Sequence, residues 1–182
     1  MKPRFVYVHG NETTHWSASW AKWLKGELEA LGFETFFETM PDSIIARGKY
    51  WLPFLQDVAG VGGNDVIIGW SSGAVAAMRY AEDHKIMGSI LISPCYTDLD
   101  GDELEVQSGY YDTPWQWDNI KANQTNIALI YGDDDPYIPQ PEFEYIAEAL
   151  HPTVIKIAGG RHFIERNQFT ELLEYIKQTY QP

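Results

Sequence analysis

Asp65-Val66-Ile67-Ile68-Gly69-Trp70-Ser71-Ser72-Gly73-Ala74-Val75-Ala76-Ala77-Met78 is the stretch on which the reading of this chain turns. An apolar run is followed by Gly-x-Ser-x-Gly and then by small residues. That order predicts a strand, a sharp turn and a helix, the arrangement called a nucleophile elbow. The turn presses the serine into a tight conformation and points its hydroxyl out of the sheet. Glycines two positions either side leave room where strand and helix nearly touch. The helix N-terminus offers free backbone N–H groups to a developing oxyanion. Serine and glycine are common in loops, so the five-residue pattern draws its meaning from its flanks and its partners.

Outward from the elbow, strand and helix patterns alternate. Residues 5–8, 33–38, 65–69, 86–93, 127–131 and 153–158 read as strands. Trp16, Trp20, Trp23, Leu24, Leu28 and Leu31 recur at helical spacing, with Gly32 as the stop. Residues 44–58 read as a helix that Pro53 kinks or interrupts. Phe143, Ile146, Ala147 and Leu150 mark another helix, and Phe169, Leu172, Leu173, Ile176 and Tyr180 the last. Val66-Ile67-Ile68 and Ile127-Ala128-Leu129-Ile130 are apolar on both faces. This predicts an α/β fold with a mostly parallel sheet of about six strands and helices on both faces. Residues 1–182 show no repeat, linker or low-complexity stretch and read as one domain. Residues 94–125 are the long irregular region, acidic first and aromatic later. Two readings stand: a lid or pocket wall, or a surface helix whose aromatics pack on the core.

A hydrophobic share of 45% with 14% aromatics excludes a disordered chain. A net charge of −13 argues against nucleic-acid partners and anionic membranes. Its plain meaning is solubility; its sharper meaning is a preference for neutral or cationic substrates. Cys95 is the only cysteine, so no internal disulfide forms, and a reducing, cytoplasmic location is expected. The segment after Met1-Lys2-Pro3-Arg4 is too short for a signal-peptide core, and no apolar run reaches membrane-spanning length. Asn11-Glu12-Thr13 and Asn123-Gln124-Thr125 then read as chance glycosylation sequons. No phosphate-binding glycine loop and no metal-ligand spacing of Cys and His is present, so neither cofactor nor metal is expected.

A serine hydroxyl needs a base, usually a histidine held in the right tautomer by a carboxylate. With this elbow the chain order is serine, acid, histidine. Gly132-Asp133-Asp134-Asp135-Pro136 follows the strand at 127–131, and Gly159-Gly160-Arg161-His162-Phe163 follows the strand at 153–158. Both loops leave the sheet on the elbow's side. Ser71 and His162 are therefore the candidate nucleophile and base. Asp133, Asp134 and Asp135 compete for the orienting role, with Pro136 fixing the backbone beside Asp135. His84 ends a helix and His151 sits in a turn before Pro152. His9-Gly10-Asn11, after the first strand, can pair the Asn11 N–H with the Ser72 N–H as an oxyanion hole, with His9 as a structural residue of that turn.

With these parts in place, the chain resembles the retinoblastoma-binding protein 9 family of small serine hydrolases over nearly its whole length. The likeness rests on Met40-Pro41-Asp42, Trp51-Leu52-Pro53-Phe54, Ile67 to Gly73, Ser108-Gly109-Tyr110-Tyr111, Pro114-Trp115-Gln116-Trp117, Asp134-Asp135-Pro136 and His162-Phe163. The resemblance implies a compact α/β-hydrolase fold with a minimal lid and a triad of Ser71, Asp135 and His162. The function expected from these residues is hydrolysis of a small ester or amide through an acyl-enzyme, with Trp70, Tyr110, Trp115 and Trp117 around the substrate. The alternative is a binding or scaffold protein that kept the fold without useful turnover. Two departures stand out. Trp70 occupies an elbow position that is often His in relatives. The Leu-x-Cys-x-Glu segment of the family's namesake partner recognition is absent around Cys95, so retinoblastoma-protein binding is not expected.

Overall fold

The computed structural model describes residues 2–180. Six strands form one sheet: β1 (Arg4–Val8), β2 (Glu34–Phe37), β3 (Asp65–Trp70), β4 (Gly88–Ile92), β5 (Asn126–Gly132) and β6 (Thr153–Ile157). Their spatial order is β2-β1-β3-β4-β5-β6, and every neighbouring pair is parallel. Parallel strands need crossovers, and helices supply them. The crossover helices are α1 (Ala21–Ala30), α2 (Gly48–Pro53), α3 (Ser72–Asp83), α4 (Glu103–Ser108), α5 (Trp117–Ala122) and α6 (Gln140–Leu150), and α7 (Thr170–Tyr180) follows the last strand.

The two-residue period of the strands sorts their side chains onto two cores. Val6, Val8, Ile67, Leu91 and Leu129 face the core packed by α3 and α6. Phe5, Tyr7, Val66, Ile68, Ile90 and Ile130 face the core packed by α1 and α7. Val66, Ile67 and Ile68 have no solvent exposure. Burying each such side chain contributes about 1.5–3 kcal/mol, which is why the central strands read as unbroken apolar runs. Strand order reverses between β1 and β3. The loops leaving their carboxyl ends therefore part there and open a crevice, the usual ligand position in an open parallel sheet.

Two helices differ from the expected boundaries. The pattern beginning at Trp16 becomes helical only at Ala21, because Ser19 takes φ 56° and breaks the turn. The run at 44–58 is not one kinked helix. Pro41–Ile45 form turns, Ala46 takes φ 60°, α2 follows, and residues 54–58 continue as a π-helix. Pro53 has no N–H for the α-helical ladder, and the chain re-closes with wider bonds such as Ala59 N–H to Phe54 O at 2.9 Å.

Residues 94–125 hold two short helices and answer both readings at once. Leu99, Asp102, Leu104 and Glu105 wall the cavity beside Ser71. The aromatic half packs on the core under α3, with Tyr110 only 2% exposed.

Candidate active site

Ser71 sits at φ 55°, ψ −121° between β3 and α3. A non-glycine residue there costs on the order of 1–3 kcal/mol and needs its surroundings to hold it. They do. Its N–H donates to Ile92 O at 2.8 Å, extending the sheet, and its carbonyl accepts from Ala74 N at 2.8 Å and Val75 N at 3.2 Å. The helix crosses so close to the sheet that a Cβ on Gly73 would lie 2.1 Å from Val8 O. The spacing of the Gly-x-Ser-x-Gly pattern is thus a packing requirement.

The turn after β1 comes against the serine: a Cβ on Gly10 would lie 3.3 Å from Ser71 Cβ and 3.8 Å from Ser71 Oγ. His9, fully buried, pins this turn. Its Nε2 accepts from Met40 N at 2.9 Å, which leaves Nδ1 to donate to Gly10 O at 2.7 Å. Burial holds the imidazole below its ordinary pKa, consistent with a neutral structural ring. Asn11 follows and lines the cavity with Ser71. Ser72 opens α3, where a first-turn N–H has no intrahelical acceptor.

Three successive aspartates after β5 grip the loop after β6. Asp133 Oδ1 accepts from Gly159 N at 2.9 Å, and Asp134 Oδ1 accepts from Arg161 N at 2.8 Å. Asp135 Oδ2 meets His162 Nδ1 at 2.8 Å, while its Oδ1 accepts from Tyr137 N at 3.0 Å and Ile138 N at 3.1 Å. The Asp135 side chain is wholly buried. Burial pulls its carboxyl upward, but the bond and charge of His162 and the two N–H groups outweigh it, and the net shift is downward. An ionised Asp135 can only accept, so His162 carries its proton on Nδ1 and presents the opposite edge, Nε2, elsewhere. His162 and Ser71 line one cavity without a direct hydrogen bond, a bond that often tightens only with substrate.

That cavity holds about 460 Å³, within the usual range for small-molecule sites. Trp70, Leu99, Leu104, Tyr137, Ile138 and Ile164 give it apolar walls. Its charged lining is Glu12, Asp102 and Glu105, with no lysine or arginine among the lining residues. Tyr137 and Ile138 directly follow Asp135-Pro136, and Ile164 follows His162-Phe163, so apolar residues in the two loops were the available sequence signal for these walls.

The expected aromatic wall is corrected. Of the four residues named, Trp70 lines the cavity; Tyr110, Trp115 and Trp117 do not. The cause is Arg79, buried on α3. It pairs with Glu82 at 2.8 Å and donates to the carbonyls of Tyr110 and Thr113, each at 2.7 Å. Its guanidinium lies 3.7 Å from the centre of the Trp115 ring. A buried cation must collect acceptors, and the aromatic segment folds around it. Trp117 then stacks on Trp115 at 5.2 Å.

Behind the acidic wall, Tyr111 O–H donates to Glu105 Oε2 at 2.8 Å and also meets Cys95 Sγ at 3.0 Å. Burial raises the Glu105 carboxyl pKa, and the Tyr111 bond does not offset it. The folded state therefore binds this proton more tightly than the unfolded chain does. That contribution to stability is full below the ordinary carboxylate range and is lost as pH rises through the raised folded value. Glu105→Gln keeps an acceptor for Tyr111 and removes the buried charge. Thermal melts are expected to show it more stable than wild type at pH 8, by about 2–4 °C per kcal/mol recovered, with the gap closing at pH 4.

Solved structures share this architecture. The structure of the ydeN gene product of Bacillus subtilis superposes with a TM-score of 0.87 at 21% identity, covering 97% of each chain. Est1E from Butyrivibrio proteoclasticus superposes at 0.76 with 16% identity, over 97% of this chain and 86% of that one. The fold is that of the α/β-hydrolases, as the sheet and elbow indicate. A family model described as serine hydrolase matches residues 6–180, and the chain belongs to that family. Serine hydrolase RBBP9 of Rattus norvegicus is 40% identical over 174 residues, 95% of this chain and 91% of the relative. The protein is a hydrolase enzyme, and no helix of the described residues is long and apolar enough to cross a membrane.

Proposed function

We propose that this enzyme cleaves a small carboxylic ester or amide through an acyl-enzyme formed on Ser71. Ser71 Oγ attacks the carbonyl carbon as His162 Nε2 takes its proton. The N–H groups of Ser72 and Asn11 receive the oxyanion. His162 returns the proton to the departing oxygen or nitrogen, and the C–O or C–N bond breaks. Water, deprotonated by His162, then attacks the acyl-enzyme, and Ser71 leaves with the proton restored. Asp135 holds the Nδ1–H tautomer and stabilises the imidazolium in both halves. The observation that carries this reading is the 2.8 Å bond from His162 Nδ1 to buried Asp135, with His162 lining the same cavity as Ser71.

A fluorophosphonate probe followed by mass spectrometry tests it. Labelling at Ser71 that disappears in Ser71→Ala is the expected result. An unlabelled, well-folded wild type overturns it and leaves a binding module on a hydrolase fold.

The lining predicts the charge preference. Glu12, Asp102 and Glu105 repel an anionic substrate from a partly desolvated cavity. Among esters of one alcohol with acyl groups of matched size, kcat/KM is expected to be at least roughly tenfold lower for a carboxylate-bearing acyl group than for a neutral or ammonium-bearing one, about 1.4 kcal/mol. The gap should narrow in high salt. Equal rates across the series overturn the electrostatic reading.

A further inference from the structure

Trp70 does more than line the cavity. Its indole Nε1–H donates to the main-chain carbonyl of His162 at 3.1 Å, a buried bond spanning 92 residues of sequence. Trp70 ends β3 and shares a peptide bond with Ser71. We propose that Trp70 is a positioning residue for His162, tying the strand that carries the nucleophile to the loop that carries the base. The inference rests on the roles given to Ser71 and His162 above.

The loop needs such a tie. His162 lies between Arg161 at φ 51° and Phe163 at φ 61°, two left-handed residues that hold only where surroundings constrain them. Asp135 fixes the ring through Nδ1, but a ring bonded at one atom still follows its backbone. Trp70 grips that backbone at the residue between the two strained ones. The indole is itself immobilised. It packs 5.6 Å from Trp20, Trp20 lies 5.2 Å from Phe169, and Phe169 lies 4.6 Å from Phe163, next to His162. Ser19, beside Trp20, completes the hold: its Oγ lies 2.7 Å from Ile164 O and 2.9 Å from Arg166 O. The distance from Ser71 to His162 is therefore set through a closed circuit of packed rings and hydrogen bonds. Small misplacements of a catalytic group are costly, on the order of 10²-fold per ångström.

The test replaces Trp70, by site-specific incorporation, with benzothienylalanine, which keeps the bicyclic shape and puts sulfur where the N–H was. The expected result is a roughly tenfold loss of kcat with KM unchanged, the usual scale of one buried hydrogen bond. In a His162→Ala background the same replacement is expected to change nothing, since residues acting through each other are not additive. An equal loss in both backgrounds, or a change in KM alone, overturns the proposal. Proton NMR gives a readout independent of turnover. The downfield His162 Nδ1–H signal is expected to broaden through faster exchange in the isostere, and an undisturbed signal overturns the proposal even where no substrate is cleaved. A wild type that shows the signal but labels with no probe removes the hydrolytic reading instead.

Discussion

Ser71→Ala is expected to abolish turnover and probe labelling while leaving the melting temperature close to that of wild type. Ser71 lines the cavity, and among the described residues its Oγ makes no hydrogen bond, so its removal leaves no partner unpaired. The strain at φ 55° is unchanged, because alanine and serine carry the same Cβ penalty there. The chemical loss is large: removing a nucleophile or its base costs about 10⁴–10⁶-fold in kcat. His162→Ala should fall in the same range, and the double variant should be little worse than either single one, because the two act as a unit. Initial rates on an activated ester, with circular dichroism melts alongside, check this. Residual activity within a hundredfold of wild type in Ser71→Ala would place the nucleophile elsewhere. Asp135→Asn should lose about 10³–10⁴-fold with KM little changed, since asparagine no longer dictates the tautomer. It also removes a carboxylate whose folded pKa is lowered. That group's contribution to stability is present above the ordinary carboxylate range and is lost as pH falls through the lowered folded value. The stability gap between wild type and Asp135→Asn should therefore close in acid.

Among the glycines, Gly73→Ala should be the most damaging. Its Cβ would stand 2.1 Å from Val8 O and 2.6 Å from His9 O, both main-chain atoms. No rotamer change relieves a clash with backbone, so α3 must move off β1 or the elbow must open. Overpacking of this kind costs about 3 kcal/mol or more, a drop of roughly 10 °C for a chain of this size. Activity should fall further than stability, because the displaced atoms belong to the turn that carries Asn11. Gly26→Ala is the contrast. It lies exposed in α1 with nothing within 4 Å of the added Cβ, and it should stabilise by about 0.5–1 kcal/mol. A folded, fully active Gly73→Ala would mean that the close approach of helix to sheet is not required.

The elbow was legible because everything that makes it lies within a dozen residues: an apolar run, two glycines at fixed offsets, and small residues at the crossing. The parallel sheet was legible for a similar reason, since strands covered on both faces lose their polar alternation. The chain order of Ser71, the aspartates and His162 followed from strands that all point one way. Helix edges were less legible. Trp16 carries the right spacing for α1, but Ser19 turns out of the helix to bond carbonyls more than 140 residues away.

Sequence alone thus determined the strand–turn–helix frame, the α/β class and the loops that bear the chemistry, because local patterning and chain direction settle those. Folding decided which aspartate meets His162, since the choice depends on the register of two loops at the ends of neighbouring strands. It also decided where the aromatic residues of 108–117 go. Their polarity fitted a substrate wall as well as a core, and the fold holds them away from Ser71 through buried Arg79, which bonds the carbonyls of Tyr110 and Thr113 and lies over Trp115, and through the Trp115 bond to Tyr96 O. The grip of Trp70 on His162 belongs to the same class: a bond between residues 92 apart exists only once the sheet has placed them side by side.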